Sequence, residues 1–132
     1  MEEETLLKPR AAIYCRTANA DDFTVEPQRQ SLFRLAKEKG FDDLVEYLDK
    51  GQKCTTLDRP AFKRLTEDMV AGEIQIVFVK NASRLSRDCI ALAEWLEMAH
   101  TLGVEVISEN GDIADGAFRQ VQSAIREMMQ HR

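Results

Sequence analysis

The run IQIVFVK at residues 74–80 constrains the fold more than any other stretch of the chain. It is apolar and rich in β-branched residues, the pattern of a central strand buried on both faces. Three further strand-like runs accompany it: AAIYCR at 11–16, DLVEYLD at 43–49 and VEVISE at 104–109. Between them the apolar residues recur at helical spacing. Pro27 suits a first helical turn, and Leu32, Leu35 and Ala36 form a core stripe that Gly40 ends. Pro60 opens a second helix with Phe62, Leu65 and Met69 on one face, closed by Gly72. Residues 88–102 carry Ile90, Leu92, Trp95, Leu96, Met98 and Ala99 up to Gly103. A last helix is expected over 116–131, with Phe118, Val121, Ala124, Ile125 and Met128. Strands and helices thus alternate, which predicts an α/β fold with a mostly parallel central sheet and helices on its faces.

A length of 132 residues is that of one ordinary domain, and 44% hydrophobic with 31% charged residues is a globular composition. Residues 1–10 read as an acidic tail and 11–115 as the main domain. The start, MEEETLLKPR, has no apolar signal core, and no run approaches the roughly 20 apolar residues of a membrane span. The expected compartment is therefore the cytoplasm, without membrane contact. Cys15, Cys54 and Cys89 are odd in number and widely spaced, and the only histidines are His100 and His131, so neither a disulfide framework nor a metal site is expected. No glycine-rich phosphate loop follows any strand, so no nucleotide cofactor is expected. The net charge of −5 argues against a chain that coats nucleic acid with a basic surface, and leaves a local basic site open.

That local site is where the arginines fall. In open α/β sheets, ligands bind beyond the carboxyl ends of the strands. Arg16 ends the first strand, Arg84 and Arg87 follow the third, and Arg59 precedes the second helix. If strands one and three are neighbours, these guanidiniums converge, and their rigid forks match phosphate oxygens two at a time. The competing reading is that each pairs on the surface with an acid such as Asp58 or Asp88. Cys15 lies within the first strand, where a buried, inert thiol is a better reading than a nucleophile.

Four segments resemble one family. YCRTAN (14–19) resembles the Tyr-x-Arg-x-Ser signature of the serine recombinases, which include resolvases, invertases and transposon integrases. VEPQRQSL (25–32) resembles that family's early helix with its glutamine, TLDRPAFKRL (56–65) its loop-to-helix motif, and VKNASRLSRD (79–88) its Val-Lys-x-x-Asp-Arg-Leu-Ser-Arg-Asp motif. The likeness runs in order from about residue 10 to the end, and is strongest to catalytic domains of recombinases from conjugative transposons.

The resemblance implies a three-layer resolvase-like fold with a dimerisation helix starting at residue 116. It implies that Arg16, Arg84 and Arg87 bind phosphate, that Arg59 is a further active-site arginine, and that Gln28 lies near the site. In such a family a serine attacks a DNA phosphate and forms a covalent protein–DNA link. Strand exchange and rejoining follow, with no metal or nucleotide cofactor. The implied partner is the DNA backbone, bound by a homodimer that becomes a tetramer on DNA.

This chain departs from the pattern. The nucleophile position is Ala18, the acid position is Ser83, and a Ser-Gly pair is replaced by Lys53 and Cys54. Thr17 carries the nearest hydroxyl. Strand alternation turns it away from the arginines, and a loosened strand end would turn it back. Residues 116–132 carry Arg119, Arg126 and Arg132 against Glu127, a net +2. Arg119 and Arg126 are candidate DNA contacts, or else part of a solvated face opposite an apolar dimer stripe. Nothing beyond residue 116 resembles a helix-turn-helix or zinc ribbon, so no separate DNA-binding domain is expected in this chain. Two functions fit: a strand-exchange catalytic domain lacking its serine, or an inactive dimerising, DNA-associated regulatory module derived from a recombinase.

Overall fold

Strand β1 (Ala11–Arg16) is buried along its whole length because it is paired on both edges and covered on both faces. One edge pairs with β2 (Leu44–Asp49) and the other with β3 (Ile76–Val79). Strand β4 (Glu105–Ser108) pairs with the far edge of β3, giving a four-stranded, all-parallel sheet in the order β2-β1-β3-β4. In register, Ala11 lies between Leu44 and Ile76, and Ile13 between Glu46 and Phe78. The computed structural model describes residues 10–17, 25–49, 59–86 and 88–113, with Glu127. The tail at 1–9 and the helix and DNA contacts expected over 116–131 lie outside the described residues.

The alternation of strand side chains divides the core into two layers. Ala11, Ile13, Cys15, Ile76 and Phe78 point to one face, where helix α1 (Val25–Glu38) covers them with Leu32 and Ala36. Ala12, Tyr14, Tyr47, Val77 and Val79 point to the other. There α2 (Pro60–Val70) contributes Ala61, Leu65 and Met69, and α3 (Cys89–Thr101) contributes Leu92, Leu96 and Ala99. Helices therefore cover both faces, as the alternating sequence implies. β3 is shorter than the apolar run 74–80, because Ile74 and Gln75 still belong to the connection after α2 and Lys80 already leaves the strand toward a one-turn 3-10 helix at Ala82–Arg84. Among the described residues no helix is long and apolar enough to cross a membrane.

The two helices on that second face are capped in different ways. Asp88 caps α3 locally, its carboxylate accepting the N–H groups of Ile90 (3.0 Å) and Ala91 (3.2 Å). Helix α2 begins with Pro60 after Arg59, and a guanidinium has no acceptor to offer. The cap comes instead from the end of β2. The Asp49 carboxylate accepts from Ala61 N–H (2.9 Å) and Phe62 N–H (3.0 Å), placing negative charge at the positive end of the helix.

Burial separates expendable from essential apolar residues. Phe78 is 0% exposed in the α1-side layer, whereas Val70 at the end of α2 is 61% exposed. Phe78→Ala is expected to lower stability by ~3–5 kcal/mol through cavity formation. Val70→Ala is expected to change it by no more than ~0.5 kcal/mol. Urea denaturation of the two variants checks both.

Candidate functional site

The sheet order creates a switch point. The chain leaves β1 for β2 on one side and later returns to β3 on the other. In open parallel sheets, the crevice beyond the carboxyl ends at such a point is where ligands bind. Arg16 enters this crevice from β1, and the 82–84 turn enters it from β3.

The turn is held by arginines from elsewhere in the chain. Arg16 Nη2 donates to the Ser83 carbonyl (2.9 Å) and its Nε to the Arg84 carbonyl (3.1 Å). Arg59 Nη1 donates to the same Arg84 carbonyl (3.0 Å), and its Nη2 to the Leu85 carbonyl. Arg84 answers with Nη1 donating to the Arg16 carbonyl (3.3 Å). Three guanidiniums from three elements thus meet at one turn. Arg87 and Ala18 lie outside the described residues, as do Lys53, Cys54, Asp58, Arg119 and Arg126.

Arg59 is 0% exposed. A buried guanidinium needs partners for its donors and its charge. Besides the two carbonyls, Arg59 Nη1 donates to Tyr14 Oη (3.1 Å), and its guanidinium lies 4.5 Å from the Phe62 ring centroid. Tyr14 Oη in turn donates to Asp49 Oδ2 (2.7 Å), so the α2 cap is also the anionic end of the Arg59 network. Burial pushes the Tyr14 phenol well above its usual range, with Arg59 opposing and the bond to Asp49 adding to the rise. Its proton stays in place to serve Asp49.

The remaining sequence candidates are placed as follows. Gln28 is buried on α1 and its Oε1 accepts the Arg16 backbone N–H (3.3 Å), beside the end of β1. Ser83 Oγ donates to Asn81 Oδ1 (2.7 Å), within the turn. Thr17 is 4% exposed, and its N–H continues the ladder to the Asp49 carbonyl (3.0 Å). Asp88 uses its carboxylate on the α3 cap. Cys15 is buried against α1, and burial pushes its thiol up to about 12.

Tyr14 and Asp49 have no role assigned by their sequence positions. The available signal for Asp49 was indirect: an acid at a strand end, followed by a helix whose own cap position is an arginine. One further detail marks the site. Arg59 Nε and Arg84 Nε are buried with no hydrogen-bond partner. For Arg59 the neighbouring Phe62 ring accounts for the surroundings. Arg84 as a whole is only half-buried, and no neighbouring ring stands over its unpartnered Nε among the contacts of the described residues.

Residues 11–132 match the family model described as the resolvase N-terminal domain. The chain belongs to that family. The resolvase domain superposes on the N-terminal catalytic domain of TP901-1 integrase with a TM-score of 0.75 and 25% identity, covering 92% of this chain and 97% of that one. It superposes on a resolvase family site-specific recombinase from Streptococcus pneumoniae with a TM-score of 0.72 and 25% identity, covering 94% and 89%. A curated relative from Bacillus subtilis (strain 168), named "Putative DNA recombinase", is 28% identical over 119 residues. The match covers 87% of this chain and 23% of that relative's length.

The network and the buried thiol each give an expected outcome. Tyr14→Phe leaves both Asp49 and Arg59 short of a partner, and is expected to cost ~1–3 kcal/mol in urea denaturation. The Cys15 thiol is raised from 9.0 to about 12, so the stability gained by burying it neutral is full below pH 9 and is lost as pH rises from 9 toward 12. At pH 8 the folded chain should leave Cys15 unmodified by iodoacetamide, and urea should expose it, as read by peptide mass mapping.

Proposed function

We propose that this chain is the phosphate-engaging domain of a site-specific DNA recombinase, and that it holds DNA without forming a covalent link to it. The observation that carries this reading is the arginine cluster at the β1/β3 switch point, with the Arg84 Nε left unpartnered. A phosphodiester presents paired oxygens to such a fork. Arg84 is the first contact, and Arg16 joins it from β1. Gln28, which accepts the Arg16 backbone N–H, and Arg59, which holds the turn, act as positioning residues. Arg87 belongs to the same anion site.

Cleavage needs a nucleophile, and the position the resemblance assigns to it is Ala18, whose methyl group has no lone pair. Thr17 is a poor replacement because it is buried and its backbone is tied into the sheet. At the acid position, Ser83 already donates its hydroxyl to Asn81. The chain's contribution is therefore binding: a DNA-associated module that works within a recombinase assembly in the cytoplasm. The proposed assembly is a homodimer, and a tetramer on DNA, with Arg119 and Arg126 adding backbone contacts. The net +2 of residues 116–132 in a chain of net charge −5 supports that last assignment.

The test is covalent adduct formation on DNA, with the chain fused to a DNA-binding domain of known site. No adduct is expected from the chain as it stands or from Thr17→Ala. Ala18→Ser combined with Ser83→Asp is expected to restore it. An adduct from the unaltered chain would overturn the proposal, and its loss in Thr17→Ala would identify a displaced hydroxyl as the nucleophile. Arg84→Ala should weaken binding to any DNA sequence alike and reduce the salt slope by about 1.

A further inference from the structure

We propose that Asp112, in the turn after β4, is a positioning residue for the arginine site. It would set the turn that carries Arg84. This inference rests on the reading of Arg84 as an anion-binding group.

Two turns meet beyond the ends of β3 and β4. The ladder between these strands continues past them, with Glu109 N–H donating to the Val79 carbonyl (2.8 Å) and Asn110 N–H to the Lys80 carbonyl (3.3 Å). The turn after β4 is thereby laid against the turn after β3. Its own shape is fixed locally. Gly111 adopts φ +80°, a conformation that side chains disfavour. Asn110 Oδ1 accepts the Asp112 N–H (3.0 Å), and Ser108 Oγ accepts the Ile113 N–H (3.0 Å). Ile113 is buried with the α2 and α3 layer, which anchors the far end.

The product of this construction is one carboxylate aimed at one amide. Both Asp112 oxygens lie 3.0 Å from the Ala82 nitrogen. Ala82 is the pivot of the arginine turn, because its carbonyl accepts the N–H groups of Leu85 (3.0 Å) and Ser86 (3.2 Å). Ala82 is itself buried, so its N–H has no other source of satisfaction. Arg16 and Arg59 hold the turn by its carbonyls from one side, and Asp112 holds it by an amide from the other. Without Asp112 the turn keeps its carbonyl contacts and loses the hold on its first amide, so the origin of the Arg84 side chain is less firmly fixed.

The sign of the effect separates positioning from charge. Removing a carboxylate near an anion site would tighten anion binding if charge alone mattered. Loss of positioning weakens it. The experiment titrates the full, isotope-labelled chain with inorganic phosphate at constant ionic strength, following the backbone amides of residues 81–86 by NMR. Hydrogen exchange of the Ala82 amide is read in the same samples. Asp112→Ala is expected to weaken phosphate binding by about 5-fold and to speed Ala82 exchange by about 10-fold, the scale of one lost hydrogen bond. Asp112→Asn keeps an acceptor without the charge, and is expected to bind phosphate at least as tightly as the unaltered chain. Arg84→Ala is expected to abolish phosphate binding while leaving Ala82 exchange slow.

If Arg84→Ala abolishes binding while Asp112→Ala binds as well as the unaltered chain or better, the positioning role is overturned. If Arg84→Ala binds phosphate undiminished, the anion-site reading itself fails and this inference falls with it. Should Asp112→Ala fail to fold, Asp112→Asn decides. A folded Asn variant in which Ala82 exchange and phosphate binding change independently of one another overturns the proposal, and one in which faster Ala82 exchange goes with weaker binding, or kept protection with kept binding, supports it.

Discussion

Three successive carbonyls, those of Ser83, Arg84 and Leu85, are taken by guanidiniums that belong to other parts of the chain. The rest of the site depends on this capture. A short turn entering a crevice has carbonyls with no ladder to join, and buried carbonyls must be satisfied. Arginine suits the task because one side chain offers five donors in a fixed plane and reaches several acceptors at once. The carbonyl side of the turn is therefore held by the end of β1 and the start of α2, and its first amide by Asp112. Arg59 could not be buried this way alone. Tyr14 links it by hydrogen bonds to the Asp49 carboxylate, and Asp49 in turn holds the first amides of α2. Helix start, strand end and turn form one hydrogen-bonded unit.

That unit changes how the arginines are to be weighed. Arg59 has a structural reason to be present whether or not the chain touches DNA, since it donates to the Leu85 carbonyl and the Tyr14 hydroxyl and shares the Arg84 carbonyl with Arg16. Much the same holds for Arg16. Their presence shows that the scaffold is intact and says little about cleavage. The group without a structural excuse is Arg84, which gives one bond to the Arg16 carbonyl and keeps an unpartnered Nε. The functional reading therefore leans on Arg84 more than on the number of arginines.

Sequence periodicity carried most of the fold. The two fully buried strands stood out because their residues are apolar at every position before the closing Arg16 of β1, and Pro60 and Gly72 bracket α2 closely. The positions of Arg16 and Arg84 at neighbouring strand ends followed from the same alternation. What could not be read were partners distant along the chain. Asp49 caps a helix 12 and 13 residues away, Arg59 meets Tyr14 across 45 residues, and Asp112 meets Ala82 across 30. A local pattern says which element a side chain sits on and not which amide it will find. Cys15 was readable for the opposite reason. Burial follows from strand position alone, and burial alone dominates the chemistry of its thiol.

On the proposed reading, two of the departures from the family pattern, Ala18 and Ser83, belong together. A general acid is useful only when a leaving group is being expelled, and nothing is expelled unless a nucleophile attacks. Once Ala18 stands at the nucleophile position, an acid at residue 83 has no step to assist. A carboxylate there would also sit beside Arg16 and Arg84 and compete with phosphate for them. Ser83 avoids that competition, because its hydroxyl is neutral and is occupied within the turn by Asn81. Loss of the attacking group alone would leave a damaged enzyme. Loss of the attacking group together with the competing carboxylate leaves a site better suited to holding a phosphate than to breaking one.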